Sequence, residues 1–204
     1  MRILITAGPT REYIDPVRYL SNESSGKMGF ALAAAARRRG HQVVLVAGPV
    51  CLPTPKGVER IDVISARDML AVLRQQFESC DALIMAAAVA DFRPRRRLRG
   101  KWKAKQESSS PQLDLVENPD LLRTVARRKG SRTVVAFALE TSQGKKRARA
   151  KLVAKNADWI VLNGAGVLGQ DWTSVTLLDR NGNEFEVLNR TKAQVARAVI
   201  HLLE

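Results

Sequence analysis

No apolar run in the 204-residue chain approaches the roughly 18 residues a helix needs to cross a bilayer. A mean hydropathy of -0.18 points to a soluble globular protein. The apolar segment Ile3 to Ala7 is too short for the core of a secretion signal and leads directly into a polar loop, so no leader is expected. With only two cysteines, Cys51 and Cys80, there is no disulfide framework and no metal-ligand spacing, which fits a reduced, cytoplasmic setting. Three nucleotide fingerprints are missing. Gly8 is followed by Pro9 and Thr10 where G-x-G-x-x-G would continue. In "SNESSGKMG", Ser21 stands where a Walker loop needs its first glycine and Met28 where it needs a hydroxyl. No Tyr-x-x-x-Lys pair exists, since Tyr13 is followed by Val17 and Tyr19 by Glu23. A simple NAD enzyme, a P-loop ATPase and a short-chain reductase are all disfavoured.

What the chain does have is positive charge, and it is concentrated. The formal net charge is +14, and eight basic residues with no acid lie between Arg93 and Lys105. That one loop supplies more than half of the excess and calls for an anionic partner. The length suits one domain, 1–204, with a proper core. Apolar runs alternate with helical patterns. Strands are expected over Arg2–Ala7, Gln42–Ala47, Val58–Ile64, Ala82–Ala88, Leu113–Val116, Thr133–Leu139 and Trp159–Leu162. Helices are expected over Gly26–Arg39, Ala66–Glu78, Lys145–Lys155 and Thr191–Leu203, and another behind "NPDLL", with Asn118 as its cap and Pro119 its first residue. "DRNGNE" marks a hairpin between Val175–Leu178 and Glu184–Leu188. The fold class is therefore α/β: a Rossmann-like, largely parallel sheet with helices on both faces.

In such sheets ligands bind beyond the carboxyl ends of the strands. That rule gathers the polar loop "GPTREYIDPVRYLSNESSGKMG", "VADFRP" and "ALET" around one crevice. Ser24, Ser25 and Gly26 stand at a helix start, where open N–H groups attract an anion. The same serines suit a plain helix cap, and the two readings stand level. Asn22 can donate and accept at once, as a grip on a carboxylate requires, yet a turn is the commoner role for such an asparagine. Lys151 and Lys155 lie four apart on one helix face, within reach of one polyphosphate or simply facing water. Phe137 in an apolar strand is ordinarily core, and Asp91 could be a turn residue.

The blocks "ITAGPTREYIDPVRYLSNESSGKMG", "AAAVADFRP", "KWKAK", "ENPDLL", "AFALET" and "AKLVAKNADWIVLN" run in order over nearly the whole chain. Together they resemble phosphopantothenoylcysteine synthetase of coenzyme A biosynthesis. The resemblance implies a ligase that joins 4'-phosphopantothenate to L-cysteine through an acyl-nucleotide, releasing pyrophosphate. CTP is the expected co-substrate, with ATP as the alternative, and Mg2+ is expected alongside. It further implies a homodimer joined through a hairpin at about 170–190, a mobile basic lid at about 93–112, and a chain lacking the flavin-dependent decarboxylase half, which would then be a separate partner.

Residue by residue, Asn22 matches the asparagine that holds the intermediate, and Lys101 the catalytic lysine of the lid. Met85, Ala86, Ala87 and Asp91 match the strand end and acid that meet the nucleotide. Pro119, Asp120, Leu121 and Leu122 fall in the segment near the triphosphate, Phe137 in the nucleotide pocket, and Lys151 and Lys155 on the triphosphate. Arg18 matches an arginine that approaches a neighbouring subunit's site, with Ser24, Ser25 and Gly26 left for the acyl substrate. No metal ligands are assigned. The chain departs from the family at Ala104, which interrupts the lid lysines, at Gly164, which replaces an aspartate before a shortened loop, and in the arginine-rich "RPRRRLRG". Those arginines, with Phe92 and Trp102, suggest the rival function of nucleic-acid binding. A binder has no use for the polar loop and the paired lysines.

Overall fold

The computed structural model describes residues 1–103, 110–140, 144–164 and 172–204. In chain order the strands are β1 (Arg2–Ala7), β2 (Arg11–Tyr13), β3 (Tyr19–Ser21), β4 (Gln42–Ala47), β5 (Glu59–Asp62), β6 (Ala82–Met85), β7 (Phe92–Pro94), β8 (Leu115–Glu117), β9 (Thr133–Glu140), β10 (Trp159–Gly164), β11 (Trp172–Asp179) and β12 (Glu184–Thr191). The helices are α1 (Lys27–Arg38), α2 (Ala66–Gln76), α3 (Leu121–Ala126), α4 (Gly144–Ala154) and α5 (Lys192–His201).

Eight strands form the main sheet in the order β12-β11-β10-β9-β6-β1-β4-β5. The six from β10 to β5 are mutually parallel, and β11 and β12 add an antiparallel edge. From β1 the chain winds outward through β4 to β5. It then returns to β6 on the other side of β1 and winds away through β9 and β10. The direction reverses between β1 and β6, so the crevice beyond their carboxyl ends is the switch point where such sheets bind ligands.

Strand periodicity divides the core into two layers. Leu4, Val44, Val46, Val134 and Ala136 face one side, against Met69 and Leu73 of α2, Leu122 and Val125 of α3 and Leu152 of α4. Ile3, Ile5, Val43, Leu45 and Val135 face the other, against Phe30 and Leu32 of α1 and Val199 and Ile200 of α5. Helix α1 lies very close to β1: a Cβ on Gly29 would stand 2.4 Å from that of Ala7. Backbones meet as closely beside the switch point, where a Cβ on Gly48 would sit 1.7 Å from the Pro9 carbonyl oxygen.

Several local expectations need correction. Helix α3 begins at Leu121 with Asp120 as its cap, the Asp120 carboxylate accepting the Arg123 N–H at 2.9 Å. Asn118 turns away to donate to the Ala90 carbonyl at 2.8 Å, which leaves Pro119 ahead of the helix. Strand β6 stops at Met85 because the next residues leave the sheet: the Ala87 N–H goes to the Thr6 hydroxyl at 3.1 Å and the Ala88 N–H to the Gly8 carbonyl at 2.9 Å. The polar loop after β1 contains a hairpin, β2 with β3, and β7 pairs with β8 as a separate antiparallel ribbon. The hairpin expected near 170–190 is β11 with β12, joined to the main sheet. Residues 104–109 of the lid, 141–143 after β9 and 165–171 of the shortened loop lie outside the described residues.

Candidate functional site at the switch point

A cavity of about 460 Å³ opens beyond β6 and β9. Its apolar wall comes from Met85, Ala87, Val89, Ala90, Phe92, Leu121, Leu122 and Ala136, and Pro119 and Phe137 complete it. Lys151 of α4 and Lys155, the first residue beyond that helix, line it together with Asp91, Glu117, Asn118 and Asp120. The Lys155 N–H donates to the Lys151 carbonyl at 2.9 Å, so the helical turn continues and the four-residue spacing brings both side chains to the same cavity. Lys151 Nζ donates to the Phe137 carbonyl at 3.1 Å, and Lys155 is ion-paired with Asp120. The cavity thus combines an apolar slot with two lysines and three carboxylates at its edge.

Ten of the residues assigned to nucleotide binding line this cavity: Met85, Ala87, Asp91, Pro119, Asp120, Leu121, Leu122, Phe137, Lys151 and Lys155. Ala86 does not, for a reason of parity. Its neighbours Met85 and Ala87 face the layer of α2 and α3, while Ala86 packs in the layer of α1 and α5. The Phe137 side chain packs in that second layer too, and its carbonyl accepts the hydrogen bond from Lys151 Nζ. Lys101 is exposed and is not among the lining residues. Val89, Ala90, Phe92, Glu117, Asn118 and Ala136 line the cavity without having been assigned to the nucleotide. Asn118 read as a helix cap, and only its bond to the Ala90 carbonyl places it in the wall.

The polar loop adjoins the cavity from the β1 side. Asn22 Nδ2 donates to the Val89 carbonyl at 2.9 Å, so Asn22 and the cavity share one segment as a common wall. Gly26, at φ 74°, leads into α1 with no side-chain cap. Ser24 Oγ instead accepts the Gly26 N–H at 3.4 Å, so the capping alternative for the two serines is not realised at the helix. Arg18 reaches within its own chain, to the Asp15 carboxylate and to the Trp102 carbonyl at 2.6 Å.

Asp15, which the sequence did not single out, is the hub of this region. Its side chain is fully buried and accepts the backbone N–H groups of Val17, Arg18 and Trp102 at 2.9, 2.9 and 3.0 Å. The Arg18 guanidinium holds its pKa well below the usual carboxylate range, and the three backbone bonds reinforce this against the opposing cost of burial. Because Trp102 follows Lys101, Asp15 ties the segment that carries Lys101 to the polar loop. The two cysteines are both free, and burial pushes the Cys80 thiol up to about 11.

Sheet order, switch-point cavity and paired lysines define a Rossmann-like α/β protein with a lysine-bearing cavity at the strand ends. The chain belongs to the DNA/pantothenate metabolism flavoprotein C-terminal domain family, whose model matches residues 1–204. It is 45% identical over 207 residues to the coenzyme A biosynthesis bifunctional protein CoaBC of Vibrio cholerae serotype O1, covering 99% of this chain and 52% of that protein. The corresponding protein of Bacillus subtilis is 41% identical over 204 residues, with 97% and 50% covered. The chain thus spans about half the length of these curated relatives. Among solved structures, the C-terminal domain of CoaBC superposes with a TM-score of 0.86 at 39% identity, covering 99% of this chain and 93% of that one. A Cab2 variant in complex with phosphopantothenate-cysteine shares the fold, with a TM-score of 0.80 at 17% identity over 99% of this chain and 86% of that one.

Proposed function

We propose that the chain is a phosphopantothenate–cysteine ligase. In this reading a nucleoside triphosphate, CTP in preference to ATP, activates the carboxylate of 4'-phosphopantothenate. The carboxylate oxygen attacks the α-phosphorus and pyrophosphate leaves. The cysteine amine then attacks the acyl carbon and loses a proton, and the nucleoside monophosphate departs with the bonding electrons. The observation that carries the proposal is the wall shared by Asn22 and the cavity at Val89. It would put an acyl group held at Asn22 next to the α-phosphate of a nucleotide held by Lys151 and Lys155. Those lysines would offset the charge that develops as pyrophosphate leaves, and Asn22 would orient the acyl carbonyl. Lys101, carried beside the anchored Trp102, would add a further cation from the lid.

Magnesium fits this site as an ion that arrives on the triphosphate. Among the described residues no three His, Cys, Asp or Glu side chains gather as a metal cluster, whereas magnesium bound to phosphates needs only one or two carboxylates. Asp91 and Glu117, both at the cavity, are the residues that would hold it. Bound there, the ion would neutralise phosphate charge.

The names of the relatives support coenzyme A biosynthesis as the setting, and "bifunctional" supports a decarboxylase as partner activity. A homodimer in the cytoplasm completes the proposal, and sedimentation velocity measures its stoichiometry. The central experiment supplies 4'-phosphopantothenate, L-cysteine, magnesium and either CTP or ATP, and follows pyrophosphate release and the cysteine adduct. Turnover faster with CTP is expected. Absence of turnover with both nucleotides overturns the ligase assignment.

A further inference from the structure

The arginines at the start of the expected lid have no part in the ligase reading. Arg93 of β7, with Arg95 and Arg97 in the bend and coil that follow, lines a second cavity of about 500 Å³ from which Arg96 is absent. Arg11 of β2 and Arg67 of α2 line it as well. Its two carboxylates are already engaged elsewhere. Glu12, 4% exposed, accepts the Ala66 N–H at 2.9 Å, and Asp68 closes the cap of α2 with the Ser65 N–H at 2.9 Å. Among the described residues no carboxylate pairs with Arg67, Arg95 or Arg97. Arg97 is instead held over the Tyr13 ring at 4.7 Å. Five arginines and two committed acids line a cavity of ligand size, although the Arg93 guanidinium is turned to Asn118 and that of Arg11 lies over the Tyr19 ring at 4.6 Å.

We infer that this basin is a second anion site and that its ligand is a small polyphosphate. Guanidinium forks match phosphate oxygens two at a time, and an unbalanced group of them calls for several negative charges on one ligand. The two cavities are joined through Arg93, which lines the basin while its guanidinium contacts Asn118 Oδ1, in the wall of the first cavity, at 3.4 Å. A ligand in the basin would therefore be felt at the switch-point site.

The test needs no substrate and does not depend on the ligase reading. Titration calorimetry with inorganic tripolyphosphate at fixed ionic strength is run on the double variant Lys151→Ala/Lys155→Ala, which lacks the cations of the first cavity. One remaining site is expected, and adding Arg67→Ser and Arg95→Ser should weaken it about tenfold or more. Thermal melting of each variant confirms that it is folded. Loss of all binding in the lysine variant, or affinity unchanged by the arginine substitutions, overturns the inference. So does a preference for single-stranded oligonucleotide whose affinity rises with strand length, because that describes an open track for a polymer.

Discussion

Asp15 illustrates how one buried carboxylate can order two segments. Its Oδ2 accepts from both the Arg18 guanidinium and the Trp102 N–H, so an amide nitrogen placed there by Asp15→Asn would face two donors. We expect that variant to fold with a lower melting temperature and to turn over about ten- to a hundredfold more slowly, since Arg18 and the segment that carries Lys101 lose their common anchor. The effect of pH gives a separate readout. A carboxylate whose pKa is depressed by folding contributes stability above its unfolded value, and loses it as pH falls toward the folded one. The unmodified protein should therefore lose stability on the acid side more steeply than the variant, as measured by thermal melts from neutral pH downward. Asn22 is tested differently. Asn22→Asp sets a negative charge beside the expected anionic intermediate and removes the donor to the Val89 carbonyl. Turnover should fall by about a hundredfold with little change in melting temperature. Turnover at the unmodified rate would remove Asn22 from the site.

Elements differ in how plainly their sequences declare them. Strands β1, β4 and β9 are apolar runs of six to eight residues flanked by helical patterns, and nothing in them competes with the sheet. Hairpin β2–β3 was hidden because each strand has only three residues and one of them, Glu12, is a buried carboxylate that local patterning cannot justify. The cap of α3 was misplaced by two residues because Asn118 and Asp120 are both good caps, and only the distant Ala90 carbonyl decides between them. At the site, Lys151 and Lys155 were legible from helix spacing. The orientations of Ala86 and Phe137 were not, because parity along a strand fixes faces only once its neighbours are known. The helix–strand contact at Gly29 makes a prediction of its own. Gly29→Ala would force its methyl against Ala7, and because both backbones are held by their own ladders the helix must shift. A cost of about 1–3 kcal/mol is expected in urea unfolding, together with weaker binding of any ligand that uses the start of α1.

Across the molecule, the sheet separates support from function. Its reversal between β1 and β6 brings the polar loop and the cavity together, and the cavity draws on the core layer of α2, α3 and α4. The opposite layer, α1 with α5, carries no residue of helix α5 to that cavity. Matched truncations in the two layers should therefore behave differently. Ile200→Ala in α5 and Leu122→Ala in α3 both remove a buried side chain, 0% and 7% exposed respectively, and each should cost about 2–5 kcal/mol of stability. Leu122 also lines the cavity, so its loss should weaken nucleotide binding beyond what unfolding explains, raising KM for the nucleotide under conditions where both variants remain folded. Ile200→Ala should leave that KM unchanged, since the intact sheet stands between the new void and the site. Equal changes in KM would mean that strain crosses the sheet and that the two core layers are not independent supports.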